Sequence, residues 1–174
     1  MLYYSYDNLI YLQNTYQILV NDIIPRTPEL AYEFGAIQYY GALDEQIEEF
    51  VIDSLNRLEM PLAMPSAEML NIVAYIPLSP YNLLYALALL NQLQINLSIL
   101  PIPFQDNPQL VIRISDFLYS QTMMGYYSEW SGYGSTRLEE PNLRKLEFHP
   151  ISWKQVQYPG PSLGYRALRT YSFS

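Results

Sequence analysis

Residues 107–125 read NPQLVIRISDFLYSQTMMG, and this stretch predicts a helix that other helices must cover. Asn107 stands directly before Pro108, which places a capping side chain ahead of a proline at the first helical position. Apolar residues then recur every three or four positions and so share one helix face. They are Leu110, Val111, Ile114, Phe117 and Leu118. We expect this helix to end at Gly125, because glycine is typical of the position just after a helix.

The same helical signals recur upstream. Asp7 can cap a helix that runs to about Ile24, where a proline follows. Thr27 and Pro28 repeat the pairing of cap and proline and open a shorter segment, 28–40, that is interrupted by a glycine. The first third of the chain is therefore predicted to be helical.

The clearest amphipathic pattern begins at Asp44. Its apolar stripe consists of Ile47, Phe50, Val51, Leu55 and Leu58. Its first turns hold four acidic residues, where the helix dipole favours negative charge. These are Asp44, Glu45, Glu48 and Glu49. A solvated acidic face explains them better than a metal site or an acid–base site, because calcium would also require a loop with a sharp glycine turn.

Three further segments complete the helical pattern. Ser66 can start a short helix through residue 76, and Ser79-Pro80 can open a helix through about Leu93. The second of these is apolar on all sides, which predicts a position at the centre of a bundle, and it is too short to span a membrane. Residues 95–104 contain prolines and alternate weakly, so we expect a buried connector with strand-like character.

Helix signals thus dominate and strand alternation is almost missing. The sequence predicts a mainly α fold, a compact irregular bundle of about six helices in a single domain. Residues 1–124 form the bundle, and residues 125–174 form an extended aromatic C-terminal arm, rich in Gly and Pro, that packs on the same domain. Within the arm, residues 141–148 could form one helical turn or two.

Composition restricts the function. Residues 1–136 hold 14 acids and 3 bases, a net charge of −11, whereas residues 137–174 hold 3 acids and 6 bases, a net charge of +3. An acidic body repels phosphate backbones, which argues against binding to nucleic acid. The chain has no cysteine, which excludes disulfides, thiolate metal sites and covalently attached c-type haem. Its 18 tyrosines suggest half-exposed or interface positions, because each ring favours burial while its hydroxyl needs a partner.

Residues 125–165 concentrate the unusual side chains. This stretch holds both tryptophans, five of the seven glycines and the one histidine, so it is a shaped loop region and not a regular amphipathic helix. Large aromatic residues on such loops suit a surface that grips a partner. The alternative is that these residues close the end of the helical core. Sequence spacing leaves both interpretations open.

Short motifs in this stretch resemble a known family. Gly-Tyr-Tyr-Ser at 125–128, Gly-Tyr-Gly at 132–134, Trp153-Lys154 and Tyr-Pro-Gly-Pro at 158–161 resemble the C-terminal signature of the gluconate 2-dehydrogenase subunit 3 family, the small subunit of membrane-associated flavin dehydrogenases. Near the other end, Ile-Ile-Pro at 23–25 followed by Glu-Phe-Gly-Ala-Ile at 33–37 is similar to a second segment of that family. In the same order, these matches bracket roughly residues 18–165.

The resemblance implies a non-catalytic small subunit. Its partner would be a large FAD-dependent sugar or polyol dehydrogenase of the glucose-methanol-choline type, which it helps to mature, stay stable or be exported, with a cytochrome subunit as a further candidate partner. The chain itself would bind no cofactor, and FAD would lie in the partner. The implied location is the cell envelope, whereas Met1–Tyr6 lack the features of a secretory signal, so the compartment stays open. The candidate interface residues are Tyr126, Tyr127, Trp130, Tyr133, Trp153, Tyr158, Pro159, Gly160 and Tyr165.

Two alternatives use the same residues differently. A carbohydrate-binding or structural interaction protein could stack sugar rings on the tyrosines and tryptophans. A hydrolase could use a pair of carboxylates, whose defining separation is spatial and therefore invisible in sequence. Gly132 and Gly134 follow a predicted helix, which excludes the strand–turn–helix context of a dinucleotide site. We expect His149 to have a structural role.

Overall fold

Two long helices, α1 (Tyr6–Ile23) and α6 (Pro108–Tyr127), run through the computed structural model, which describes residues 5–75 and 82–160. The shorter α-helices are α2 (Pro28–Phe34), α3 (Ile47–Asn56), α4 (Ala63–Ala74), α5 (Leu83–Asn91) and α7 (Ile151–Gln155). Short 3₁₀ helices span Ala36–Tyr39, Ala42–Glu45, Leu97–Ile99 and Ser131–Thr136. No β-strand occurs in the described ranges, and the predicted mainly α fold is confirmed.

The core lies between α1, α3, α4, α5 and α6, which pack on one another. Its fully buried side chains are mostly aliphatic, as the predicted stripes require. They include Leu12, Leu19, Ile47, Val51, Leu55, Leu70, Leu83, Leu90, Val111 and Leu118. Tyr16 is also buried, and its hydroxyl donates to Ala63 O at 2.7 Å, which satisfies the polar end of the ring and ties α1 to α4.

Side-chain caps set the starts of three α-helices, α1, α5 and α6. Asn107 Oδ1 accepts from the Leu110 N–H at 3.0 Å, as predicted from the sequence. The Asp7 cap is wrong, because Ser5 Oγ takes the capping position by accepting from Asn8 N–H at 3.3 Å. A serine two residues earlier offers the same acceptor and lets the helix begin two residues sooner.

Gly125 does not end α6, and that prediction is wrong. The helix continues to Tyr127, and Gly125 is buried where α6 crosses α3. A Cβ atom at this position would lie 2.6 Å from Phe50 Cδ1 and 3.1 Å from Ile47 Cγ2. Glycine is therefore present because the two helices approach closely, and not because the backbone turns there.

Three predictions about the middle of the chain are also wrong. α5 lies at the edge of the bundle, since Leu84, Tyr85 and Ala88 are exposed on one of its faces. The segment 95–104 has no strand character and forms a 3₁₀ turn, because it contains prolines and lacks a pairing strand. The predicted start at Ser66 is late by one turn, as α4 begins at Ala63.

The described part of the arm packs against α3 and against the C-terminal end of α6. Residues 141–148 contain a turn closed by Leu143 N–H donating to Glu140 O at 2.8 Å and no further helix. Among the described helices, none combines the length and the apolar character needed to cross a membrane. The predicted start at Ser79-Pro80 and the candidate interface residue Tyr165 lie outside the described residues.

Candidate partner-binding site

Tyr126 joins the two halves of the candidate site. Its ring is buried, and its hydroxyl lies 2.9 Å from Tyr40 O and 2.5 Å from Gln155 Oε1. Burial raises the pKa of this phenol to about 12, and the charge of Glu45 adds to that rise. Tyr126 therefore stays neutral and acts as a hydrogen-bond donor between the segment 36–40 and α7.

Trp153 is the buried residue against which other residues of the arm pack. Its side chain is 4% exposed, and its Nε1–H donates to Tyr127 O at 3.1 Å. The Tyr158 ring meets it edge-on at 5.0 Å, and Tyr158 N–H donates to Trp153 O at 2.7 Å. Gly160 is buried against the indole with a φ of +86°, where a side chain would be strained. Trp153 thus fixes the positions of Tyr127 and Tyr158.

Trp130 fastens the arm to the bundle at a second point. The indole is 2% exposed and packs edge-on against Phe50 of α3 at 5.1 Å. The Arg144 guanidinium lies 5.4 Å from the Trp130 ring centroid and 6.0 Å from that of Tyr133, in cation–π geometry with both. The half-buried Tyr133 therefore contributes to this packing.

The candidate interface residues divide into two groups. Tyr126, Trp130, Trp153 and Gly160 are buried, whereas Tyr127, Tyr158 and Pro159 are exposed, and Tyr133 is intermediate. The buried residues act as anchors of the arm, in line with the alternative that the aromatics close the core. The exposed ones remain accessible to a partner. Sequence could not separate the groups, because Trp and Tyr suit either environment.

The prediction that the acidic residues around 45–49 form a solvated face is wrong for two of them. Glu45 is 3% exposed and Glu48 is 6% exposed; α7 of the arm covers Glu45, whereas α1 contacts Glu48. Glu45 Oε1 accepts from Ile151 N–H at 3.0 Å, and Glu48 Oε1 accepts from Gln17 Nε2 at 3.2 Å. Burial raises the pKa of both carboxyl groups.

Glu49 behaves differently from these two. Its Oε2 pairs with Arg137 Nε at 2.7 Å, and Arg137 also donates to Gly134 O at 2.9 Å. This ion pair holds the 3₁₀ segment of the arm against α3. Glu45 and Glu49 therefore fasten the arm, whereas Glu48 bonds to α1 and Asp44 pairs with Arg26.

Helix α2 carries interface candidates that sequence reasoning missed. None of its seven residues is buried, and three large apolar side chains are exposed, with Tyr32 96% exposed. The other two are Leu30 and Phe34. The sequence did contain a signal of this exposure. The large apolar residues of PELAYEF do not fall on one helix face, so a helix this short cannot bury all of them against one surface.

The segment after α2 packs directly on α7. Gln38 Nε2 donates to Gln155 O at 3.1 Å, and Gln155 Nε2 donates to Ile37 O and Tyr40 O at 3.0 Å each. Exposed rings therefore lie on or next to the segments that Tyr126 and Trp153 join, and on the neighbouring α2. We call these rings the aromatic face: Tyr39, Tyr40, Tyr127 and Tyr158, with Tyr32 and Phe34 on the adjoining α2.

Other places in the described chain offer less chemistry. No group of three or more His, Asp or Glu side chains within residues 5–75 and 82–160 could hold a metal ion. His149 is exposed and lies beside the Trp153 ring, 5.7 Å between centroids. A groove of about 610 Å³ between α5 and α6 includes one carboxyl group in its lining, Asp116, which accepts from Asn91 at 2.5 Å.

Comparisons with protein-family models, curated proteins and solved structures found no match to this chain. The aromatic face and the way it is held together therefore carry the functional conclusion.

Proposed function

We propose that this chain is a non-catalytic helical subunit that binds a larger protein through the aromatic face. The observation that carries the proposal is the meeting of two segments that resemble the gluconate 2-dehydrogenase subunit 3 family. The segment at 33–37 and the arm at 125–160 are distant in sequence, yet Gln155 bonds to Ile37 O and Tyr40 O. Residues that share one binding task are expected to share one surface.

The exposure of α2 supports a protein partner. A seven-residue helix is not stable by itself in water, and this one buries none of its residues. A partner that covers Tyr32 and Phe34 would supply the missing burial. Exposed aromatic side chains of this kind are the usual anchors of protein interfaces, because a rigid ring gives a large contact area at a small entropy cost.

The resemblance names the partner class as a large FAD-dependent sugar or polyol dehydrogenase. In this proposal FAD lies in the partner, and this chain assists its maturation, stability or export. Gly132 and Gly134, which could have suggested a dinucleotide turn, lie in a 3₁₀ helix, and no strand precedes them in the described ranges. The chain's own residues would therefore bind and orient protein and leave the redox chemistry to the partner.

Co-expression with a flavoprotein dehydrogenase encoded beside this chain tests the proposal. We expect the tagged chain to copurify with a yellow large subunit in stoichiometric amount. Tyr158→Ala should weaken association, whereas Tyr85→Ala on α5 should leave it unchanged. The two rings are similarly exposed, 47% and 53%, but only Tyr158 belongs to the aromatic face. Equal loss in both variants, or no flavoprotein bound, would contradict the proposal.

A further inference from the structure

The Glu45 carboxyl group is buried at the joint between the bundle and the arm. It ends the 3₁₀ helix Ala42–Glu45, and its Oε1 accepts from Ile151 N–H, the first amide of α7. In the described chain its Oε2 has no hydrogen-bond partner, and neither does Ser152 Oγ, one residue further along. If the Glu45 carboxyl group is ionised here, it has lost its hydrating water molecules, and a single hydrogen bond from an amide replaces them. Burying a charge with so few partners is unfavourable.

The surrounding charges do not offset this burial. Asp44, on the same 3₁₀ helix, is held by Arg26 at 2.6 Å, and Lys154 on α7 is exposed. The hydroxyl of Tyr126 on α6 points to other acceptors. Burial is the largest influence on the pKa of Glu45 and raises it, Asp44 raises it further, and the Ile151 amide and Lys154 lower it.

We infer that Glu45 is a proton-sensitive latch that sets how firmly α7 is held against the bundle. With α7 docked, the carboxyl group is covered; with α7 lifted away, it is hydrated. Docking thus favours the protonated form, so proton uptake tightens the joint. Docking is firmest below the ordinary glutamate pKa and weakens as the pH rises through the raised value.

The latch would act on the aromatic face through Trp153. That ring belongs to α7, and it positions Tyr127 and Tyr158. A rise in pH would loosen these exposed tyrosines together with α7. This consequence for partner binding rests on the proposed function, whereas the latch itself is a property of the isolated chain.

Amide hydrogen exchange on the isolated full-length chain tests the latch. The amides of residues 156–158 bond to carbonyls of α7, so their protection factors report its docking. Relative to core amides of α6, we expect this protection to fall by up to ~10-fold per pH unit between the ordinary glutamate pKa and the raised pKa of Glu45, and to level off above it. In Glu45→Gln, a neutral side chain of the same shape, the relative protection should be independent of pH.

Glu48→Gln is the matched control. Glu48 is equally buried, but it bonds to Gln17 of α1 and not to α7. The arm amides of this variant should keep the wild-type pH dependence. A flat profile in Glu48→Gln, or a wild-type profile in Glu45→Gln, would overturn the inference.

A measurement on the unmodified chain covers the case in which Glu45→Gln does not fold. The NMR shifts of the Glu45 carboxyl carbon and the Ile151 amide should titrate with one shared midpoint above the ordinary glutamate pKa. An Ile151 amide that ignores this titration refutes the latch. Because no partner is present, such a failure leaves the proposed function intact, and lost flavoprotein binding would in turn leave the latch intact.

Discussion

Replacing Trp153 with alanine separates a structural role from a direct role in binding. The residue is 4% exposed, so almost all of its surface is buried, and the substitution removes most of that buried surface. Buried aromatic side chains cover about 150–250 Å², which at about 25 cal/mol per Å² corresponds to about 4–6 kcal/mol. Measured costs for this kind of truncation are about 3–5 kcal/mol, and Tyr127 O also loses its donor.

We therefore expect Trp153→Ala to lower the free energy of unfolding of the isolated chain by about 4 kcal/mol. For a domain of this size the melting temperature should fall by about 8–16 °C. Tyr158→Ala is the comparison, because its ring is 47% exposed and touches mainly Trp153. Its stability cost should be about 2–3 kcal/mol, roughly half that of Trp153→Ala, since about half of its surface is already in water.

Affinity for the partner should respond in the opposite order, because Tyr158 is exposed at the aromatic face and Trp153 is buried. Tyr158→Ala should weaken binding to the flavoprotein by about 2 kcal/mol, a factor of about thirty in Kd. Thermal melting of the isolated variants and calorimetric titration of the complex measure both quantities. If Trp153→Ala melts like the parent while its affinity falls, the indole contacts the partner directly, and its assignment to the core is wrong.

The other substitutions test separate contacts. Gly125→Ala should cost about 1–2 kcal/mol in a urea melt despite the better helix propensity of alanine, because its Cβ would collide with Phe50; Phe50→Leu should recover part of that loss in a double-mutant cycle. Ile114→Asp should prevent folding as judged by circular dichroism, because it buries an unpaired carboxylate. Tyr32→Ala should leave the melting temperature unchanged and weaken association, and a measured loss of stability would place that ring in the fold. Because burial raises the pKa of Glu48, the native state holds its proton more tightly than the unfolded chain, so stability falls as the pH rises through that raised value; Glu48→Gln should reduce this slope in denaturant melts at several pH values.

Features that depend on neighbouring residues were predictable. Asn107 caps α6 because its side chain reaches an amide three residues along the chain, and the stripe from Ile47 to Leu55 faces the core because helix periodicity places it there. The mainly α fold follows from many such local signals. The two-residue error at the start of α1 arises because Ser5 and Asp7 compete for one cap, whereas α4 begins at Ala63 without a side-chain cap.

Features that depend on distant packing were not predictable. The acidic residues Glu45 and Glu48 have the spacing of a solvated face, and they are buried by contacts with residues distant in sequence, Ile151 for Glu45 and Gln17 for Glu48. Gly125 has the sequence context of a helix end, and only the approach of Phe50 reveals its packing role. The aromatic face could not be predicted for the same reason. The sequence shows which residues are aromatic, but only the fold shows that Trp153 is buried and Tyr158 is exposed.

The joint between the segment 36–45 and α7 also constrains how the protein is made. The bond between Glu45 and Ile151 spans 106 residues, and the bond between Gln155 and Ile37 spans 118. Ribosomes deliver the early residues first, so the 36–45 segment must wait, uncovered, until α7 emerges. Contacts of such long range form late, because a large loop must close before they contribute any stability. During that interval the surface beneath the arm is open to water and to chaperones, and this joint can form only after α7 has emerged, later than the local helices before it.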